Sequence, residues 1–154
     1  DTRITFLPPQ SREKLFSEFY PTHDVFVLPS LLETLGVVIL EALSFGMGII
    51  TTDLYATPEM VKDGTNGRVL SHPFLSHTTL NGVSTIDCVS IKRQEFSRRY
   101  LYEKPSYDTL ATDLYTALQQ SCAEYRTWQA ASVTHFNERY APERWEERLR
   151  DIIS

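Results

Sequence analysis

Cysteine is scarce in this chain: two in 154 residues, Cys88 and Cys122, far apart and without a CxxC spacing or a neighbouring His/Cys cluster. That excludes a disulfide scaffold and a structural zinc site, and it fits a reducing, cytoplasmic setting. Positive charge is short as well, with 15 Lys and Arg against 20 Asp and Glu and a formal net charge of -5. Binders of phosphate backbones carry the opposite balance, so nucleic acid is not expected as a partner. No apolar run approaches the length of a bilayer span, and the first residues, DTRITFLPPQ, lack the basic and apolar regions of a signal peptide. Neither a transmembrane segment nor an export signal is therefore expected. Internal repeats, low-complexity tracts and metal-ligand spacings are missing too. His23, His72, His77 and His135 fall in no base–nucleophile or metal pattern and read as packing or surface residues.

What is present is enough apolar sequence, 42% of residues with 12% aromatic, to build the core of one domain spanning residues 1–154. Ile4 to Leu7 reads as a strand ended by Pro8-Pro9, and Ser11 caps a helix with Leu15, Phe16 and Phe19 on its apolar side. Val25-Phe26-Val27-Leu28 is apolar without alternation, the pattern of a strand covered on both faces, and reads as a central parallel strand. A helix opened by Gly36 and closed by Gly46 follows, then the strand Gly48 to Thr52. Thr57-Pro58-Glu59 supplies a capping hydroxyl, a first-turn proline and a first-turn acid for a short helix to about Lys62. The turns Asp63-Gly64 and Asn66-Gly67 lead into Arg68-Val69-Leu70.

Strands alternating with helices predict an α/β fold, a Rossmann-like open and mostly parallel sheet, with ligands outside the carboxyl ends of the strands. From residue 107 three C-terminal helices are expected, around Leu110 to Leu118, around Trp128 to Phe136, and after Pro142 around Trp145 to Ile152. Trp128 and Trp145 read as packing either in the core or against a domain absent from this sequence. Residues 74–105 are too long for an ordinary connection and read as an insertion. Within it His77 to Leu80, Asn81-Gly82 and Val83 to Ile86 read as a hairpin, and Lys92-Arg93 and Arg98-Arg99 as a solvated face.

The chemistry is concentrated in LLETLGVVILEALSFG, residues 31–46. Glu41 interrupts an apolar helix face, where a carboxylate is costly without a partner, and Glu33 stands eight residues before it in the loop leaving a strand. The amides of Thr34, Leu35, Gly36 and Val37 are placed at a helix N-terminus, where backbone donors and the dipole favour an anion such as phosphate. Gly36 permits close approach to the backbone. Carboxylates flanking an anion site are suited to accept from hydroxyls, a sugar on one side and a ribose on the other, and each is expected to await polyol oxygens rather than a neighbouring cation. Taken singly, Glu41 reads equally well as an ion-paired helix residue, Glu33 as a solvated loop charge, and Asp53 as a turn residue at a strand end.

The ordered set Pro29-Ser30, Glu33, Gly36, Glu41-Ala42, Gly46, Thr51-Thr52-Asp53, Pro58-Glu59 and Asn66-Gly67 resembles the nucleotide-sugar-binding motif of glycosyltransferase family 4, the glycosyl transferases group 1 of GT-B architecture. The resemblance spans residues 3–73 and, more loosely, the closing helices from Arg126 to Ile153. It implies a retaining glycosyltransferase using a nucleoside-diphosphate sugar, without a required metal or cofactor, in glycan or polysaccharide biosynthesis. In that family Glu33 would be the catalytic-site carboxylate on the donor sugar, Thr34 to Val37 would meet sugar or diphosphate, and Glu41 would take the ribose hydroxyls. Two departures stand out: Gly48 where such sequences carry Pro, and Tyr55-Ala56-Thr57 where they carry glycine before Pro-Glu. The resemblance also implies a separate N-terminal acceptor-binding domain, outside this sequence, through which peripheral membrane contact would run and without which the chain is expected to be inactive. The alternative is a non-catalytic α/β binding or scaffold module that kept the fold.

Overall fold

The computed structural model describes residues 4–31, 33, 35–73, 77–80, 83–86, 98 and 104–153. The chain enters through α1, Arg12–Lys14, whose N-cap is Ser11: its Oγ accepts from the Lys14 amide at 3.2 Å. A π turn, Leu15–Phe19, and a 3-10 turn, Tyr20–Thr22, continue the same rod. Pro21, which cannot donate the next helical bond, ends it. Leu15 and Phe16 pack inward as expected, and Tyr20 joins them at 5% exposure.

Three strands form one parallel sheet in the order β1-β2-β3: β1 Val25–Leu28, β2 Gly48–Thr52 and β3 Gly67–Leu70. The ladder aligns Val25 with Gly48 and Leu28 with Thr51 on one side of β2, and Ile49 with Gly67 and Thr52 with Leu70 on the other. Helix α2, Val37–Ser44, connects β1 to β2, and the single turn α3, Thr57–Met60, connects β2 to β3. The α/β, mostly parallel class expected from the alternation is the one observed.

Two strand assignments need correction. The strand buried along its whole length is β2, whereas β1 has a ladder partner, among the described residues, only on its β2 side, and Val27 is 37% exposed. Ile4 to Leu7 forms no ladder among the described residues; Phe6 is 93% exposed. Local β propensity does not suffice where no strand is alongside to take the backbone bonds.

Period-two alternation along β2 divides the core. Ile49 belongs to a cluster with Tyr20, Ile39, Ala42, Leu43 and Met60, on the side of α1 and α2. Ile50 belongs to a second cluster with Leu70, Leu110, Ala117 and Trp128, on the side of the long helix α4, Lys104–Arg139. Two helices were expected where α4 runs unbroken. Its buried stripe, Leu110, Ala117, Ser121, Trp128 and Ser132, is continuous because two serines fill positions that do not read as apolar. Helix α5, Pro142–Ile153, follows, and Trp145 upon it is 55% exposed, which excludes the core placement of the two expected for it.

The expected hairpin is present as β4, His77–Leu80, paired antiparallel with β5, Val83–Ile86, in the register His77↔Ile86 to Leu80↔Val83. Its Asn81-Gly82 connection lies outside the described residues. At α3 the cap differs from expectation: Ala56 is the N-cap, and buried Thr57 Oγ1 turns back to accept from the Leu54 amide and to face the Thr52 and Leu54 carbonyls at 2.7 and 2.9 Å. Among the described residues no helix is long and apolar enough to cross a membrane.

Candidate donor site at the carboxyl edge of the sheet

The connection from β1 to α2 leaves the carboxyl end of β1 at Pro29, and three side chains from neighbouring segments fasten its backbone. Thr51 Oγ1 donates to the Leu28 carbonyl at 3.0 Å, Thr52 Oγ1 donates to the Ser30 carbonyl, and His72 Nε2 meets the Leu31 carbonyl at 3.1 Å. A bond from His72 to a carbonyl requires the proton on Nε2. Thr51, Thr52 and His72 are all buried, while the carbonyls they meet belong to half-buried residues. The loop that carries Glu33 is thereby tied to both β2 and the end of β3. Sequence reading named these three residues but did not foresee that they anchor this loop, although a Thr-Thr pair at the end of a strand was a usable signal.

Gly36 stands at the N-cap of α2 with φ 67° and ψ 44°, a left-handed conformation open to glycine and strained for most other residues. Its carbonyl accepts from the Ile39 amide at 2.8 Å, starting the helix. A Cβ at Gly36 would lie 3.2 Å from Ile39 Cδ1 and 3.7 Å from Glu33 Cγ, so the stem of half-buried Glu33 lies over this glycine. The N-cap residue Gly36 has no side chain with which to cap α2, and no acid sits in the first turn. The positive end of the helix is therefore not neutralised from within α2. Leu35 and Val37, on either side of buried Gly36, are each 52% exposed; Thr34 lies outside the described residues.

Glu41 lies one turn further along α2, its side chain 14% exposed. Arg12 engages its Oε1 with Nε and Nη2, both at 2.9 Å, and the Tyr20 hydroxyl donates to Oε2 at 3.3 Å. Burial first, then the charge of Glu41 and the hydrogen bond to it, push the Tyr20 phenol up, which keeps it protonated as the donor. The expectation that Glu41 has no cationic neighbour is thus corrected. The residues responsible share one face that the sequence reading did not single out: Arg12, Phe16 and Tyr20 recur at i, i+4 and i+8, with the guanidinium 4.7 Å above the Phe16 ring and that ring 5.4 Å from Tyr20.

Asp53 follows β2 and is half-buried, with its amide donating to the Leu70 carbonyl at 2.7 Å. Glu59 occupies the first turn of α3, as expected. Among the described residues no group of three or more His, Cys, Asp or Glu side chains is arranged to hold a metal ion.

The family model for glycosyl transferases group 1 matches residues 1–81, which include the whole three-stranded sheet and both carboxylates. Curated relatives agree. A protein of Mycobacteroides abscessus called D-inositol 3-phosphate glycosyltransferase is 28% identical over 134 residues, 85% of this chain and 29% of that protein. Proteins of the same name from Mycolicibacterium vanbaalenii and Mycobacterium sp. strain KMS are 38% and 33% identical over 44% and 66% of this chain, and 15% and 22% of their own lengths. The chain thus spans less than a third of each of these relatives. With the matched segment covering more than half of its residues, the chain belongs to the glycosyl transferases group 1 family.

Proposed function

We propose that this chain is the donor-binding part of a retaining glycosyltransferase, which moves a sugar from a nucleoside-diphosphate sugar to an acceptor. The observation that carries the reading is Glu33 lying over Gly36, the glycine N-cap of α2, with Glu41 one turn along the helix. In this reading the amides around Leu35 to Val37 and the helix dipole hold the diphosphate. Glu33 accepts from sugar hydroxyls and fixes the anomeric carbon, and Glu41 takes the ribose. The bond from the anomeric carbon to the diphosphate oxygen breaks, a bond to the acceptor oxygen forms on the same face of the sugar, and the acceptor hydroxyl's proton passes to the departing diphosphate. Negative charge then grows on the departing diphosphate, where oriented backbone donors act most strongly. Acceptor binding and exclusion of water fall to a further domain.

Thermal unfolding of the full-length protein with and without uridine, adenosine or guanosine diphosphate tests this. At least one nucleotide is expected to raise Tm, and Glu33→Ala or Glu41→Ala to remove the increase while preserving the circular dichroism of the fold. Full protection in both variants would refute the assignment of the site. Absence of calorimetric binding of any of the three nucleotides, or of their sugar conjugates, would favour a non-catalytic module built on the same fold.

A further inference from the structure

A carboxylate offers about four lone-pair directions, two on each oxygen. At Glu41 two of them carry intramolecular hydrogen bonds, from Arg12 Nε to Oε1 and from the Tyr20 hydroxyl to Oε2, and Arg12 Nη2 adds an ion-pair contact to Oε1 at 2.9 Å. A vicinal diol grips a carboxylate by placing one O–H on each oxygen. Oε2 has a direction to spare for it, whereas Oε1 is covered by two guanidinium nitrogens, both 2.9 Å away. The guanidinium and a diol therefore compete for the same oxygen.

The three side chains are not equally free to give way. Glu41 is 14% exposed and Tyr20 5%, so both are held by the core around them. The Arg12 side chain is 75% exposed and springs from the three-residue helix α1. Once released it keeps its hydration and the Phe16 ring 4.7 Å beneath it. An ion pair with one partner so exposed is weak and is screened by salt.

We propose that Arg12 is a specificity-determining residue: its guanidinium and the vicinal ribose diol of the nucleotide exclude each other at Glu41 Oε1, so that binding exchanges one for the other. This rests on the donor-site reading above. The exchange sets how much the two ribose hydroxyls contribute to affinity, because part of what they gain at Glu41 offsets the loss of Arg12. No bond is made or broken, and the displaced guanidinium ends in solvent.

The readout is a ratio that cancels any general effect of removing a positive charge beside a diphosphate. Dissociation constants of the full-length protein are measured by calorimetry for uridine, adenosine and guanosine diphosphate and for their 2′,3′-dideoxy counterparts. Whichever base binds, Arg12→Gln is expected to raise the dideoxy-to-ribose ratio about two- to fivefold, the range that the loss of an exposed ion pair allows. Arg12→Lys, which keeps the charge but not the two-nitrogen fork, is expected to fall between. A ratio that drops in Arg12→Gln means that Arg12 holds Glu41 in place for the diol, and the exchange is refuted. An unchanged ratio, with nucleotides still bound, refutes the exchange and leaves the donor site standing. Loss of all nucleotide binding in the unaltered protein removes the donor site itself, and the exchange with it.

Discussion

Gly48 and Trp128 occupy one space: a Cβ built on Gly48 would lie 3.0 Å from Trp128 Cε3 and 3.1 Å from its Cβ. Trp128 is fully buried, and its Nε1 donates to Glu124 at 3.2 Å, so the indole is held on the side away from the strand as well. Gly48 also donates its amide to the Asp24 carbonyl at 2.9 Å. The proline that similar sequences carry at this position is thus barred twice here, by the indole and by the need for a donor. A departure in the motif and a tryptophan eighty residues later are one packing solution.

Gly48→Ala is accordingly expected to destabilise by about 1–3 kcal/mol through overpacking, and Gly48→Pro by more. Pairing Gly48→Ala with Trp128→Phe should recover part of the loss, since the two residues share a contact and their effects cannot add. Urea unfolding followed by circular dichroism checks both. An unchanged midpoint in Gly48→Ala would contradict the contact.

Two glycines that look alike in sequence should behave differently. Gly64 has φ +73° and open space around it, the nearest atom to a built Cβ being Arg68 Nη1 at 3.9 Å. Gly67 starts β3, and a Cβ there would sit 1.8 Å from the Ile49 carbonyl oxygen. Gly64→Ala should cost about 1–2 kcal/mol, the left-handed penalty alone, and fold. Gly67→Ala forces β3 off β2, and at more than about 4 kcal/mol is expected to yield insoluble or unfolded protein. Soluble, cooperatively melting Gly67→Ala would overturn the strand register.

The threonine anchors of the β1–α2 connection predict a local effect. Thr52→Val keeps volume but strips the hydroxyl from the Ser30 carbonyl. About 1–3 kcal/mol should be lost for the part-buried acceptor left unpaired. Amide exchange around Leu31 to Gly36 should quicken more than exchange in α4. Equal acceleration throughout would mean that the hydroxyl supports the fold generally and not this loop.

How far the sequence could be read depended on whether a feature is local. The Ser11 cap, the three strand cores, the glycines bracketing α2 and the hairpin strands are set by neighbours in the chain, and they were legible. Arg12 on Glu41 spans 29 residues and His72 on Leu31 spans 41, distances at which no periodicity speaks. Gly67 read as a turn residue because Asn-Gly signals turns, yet the constraint on it is the Ile49 carbonyl across the ladder. Asn66 is likewise a buried plug, accepting from the Lys62 amide and donating to the Met60 carbonyl. In α4 two buried serines disguised one helix as two.

His135 carries a pH dependence whose sign follows from its surroundings. Its Nε2 donates to the Glu59 carbonyl at 3.2 Å, and its ring meets Tyr140 edge-on at 5.6 Å. Burial holds its pKa below the ordinary value; Lys62 and Arg139 act in the same direction, while the Glu59 carbonyl and Glu138 oppose them. The unfolded chain, with a histidine pKa near about 6.5, therefore takes up the proton before the folded chain does. Where the unfolded state binds more protons, stability rises with pH. The contribution of His135 is thus fully present above about pH 6.5, declines as pH falls towards the folded value, and levels off beneath it. His135→Gln retains an N–H for the Glu59 carbonyl and does not titrate. Between about pH 7.5 and 5 the unaltered protein should lose stability relative to His135→Gln, every other titrating group being common to both. A stability difference that stays flat, or that grows in favour of histidine as pH falls, would show that the imidazole is charged in the folded protein.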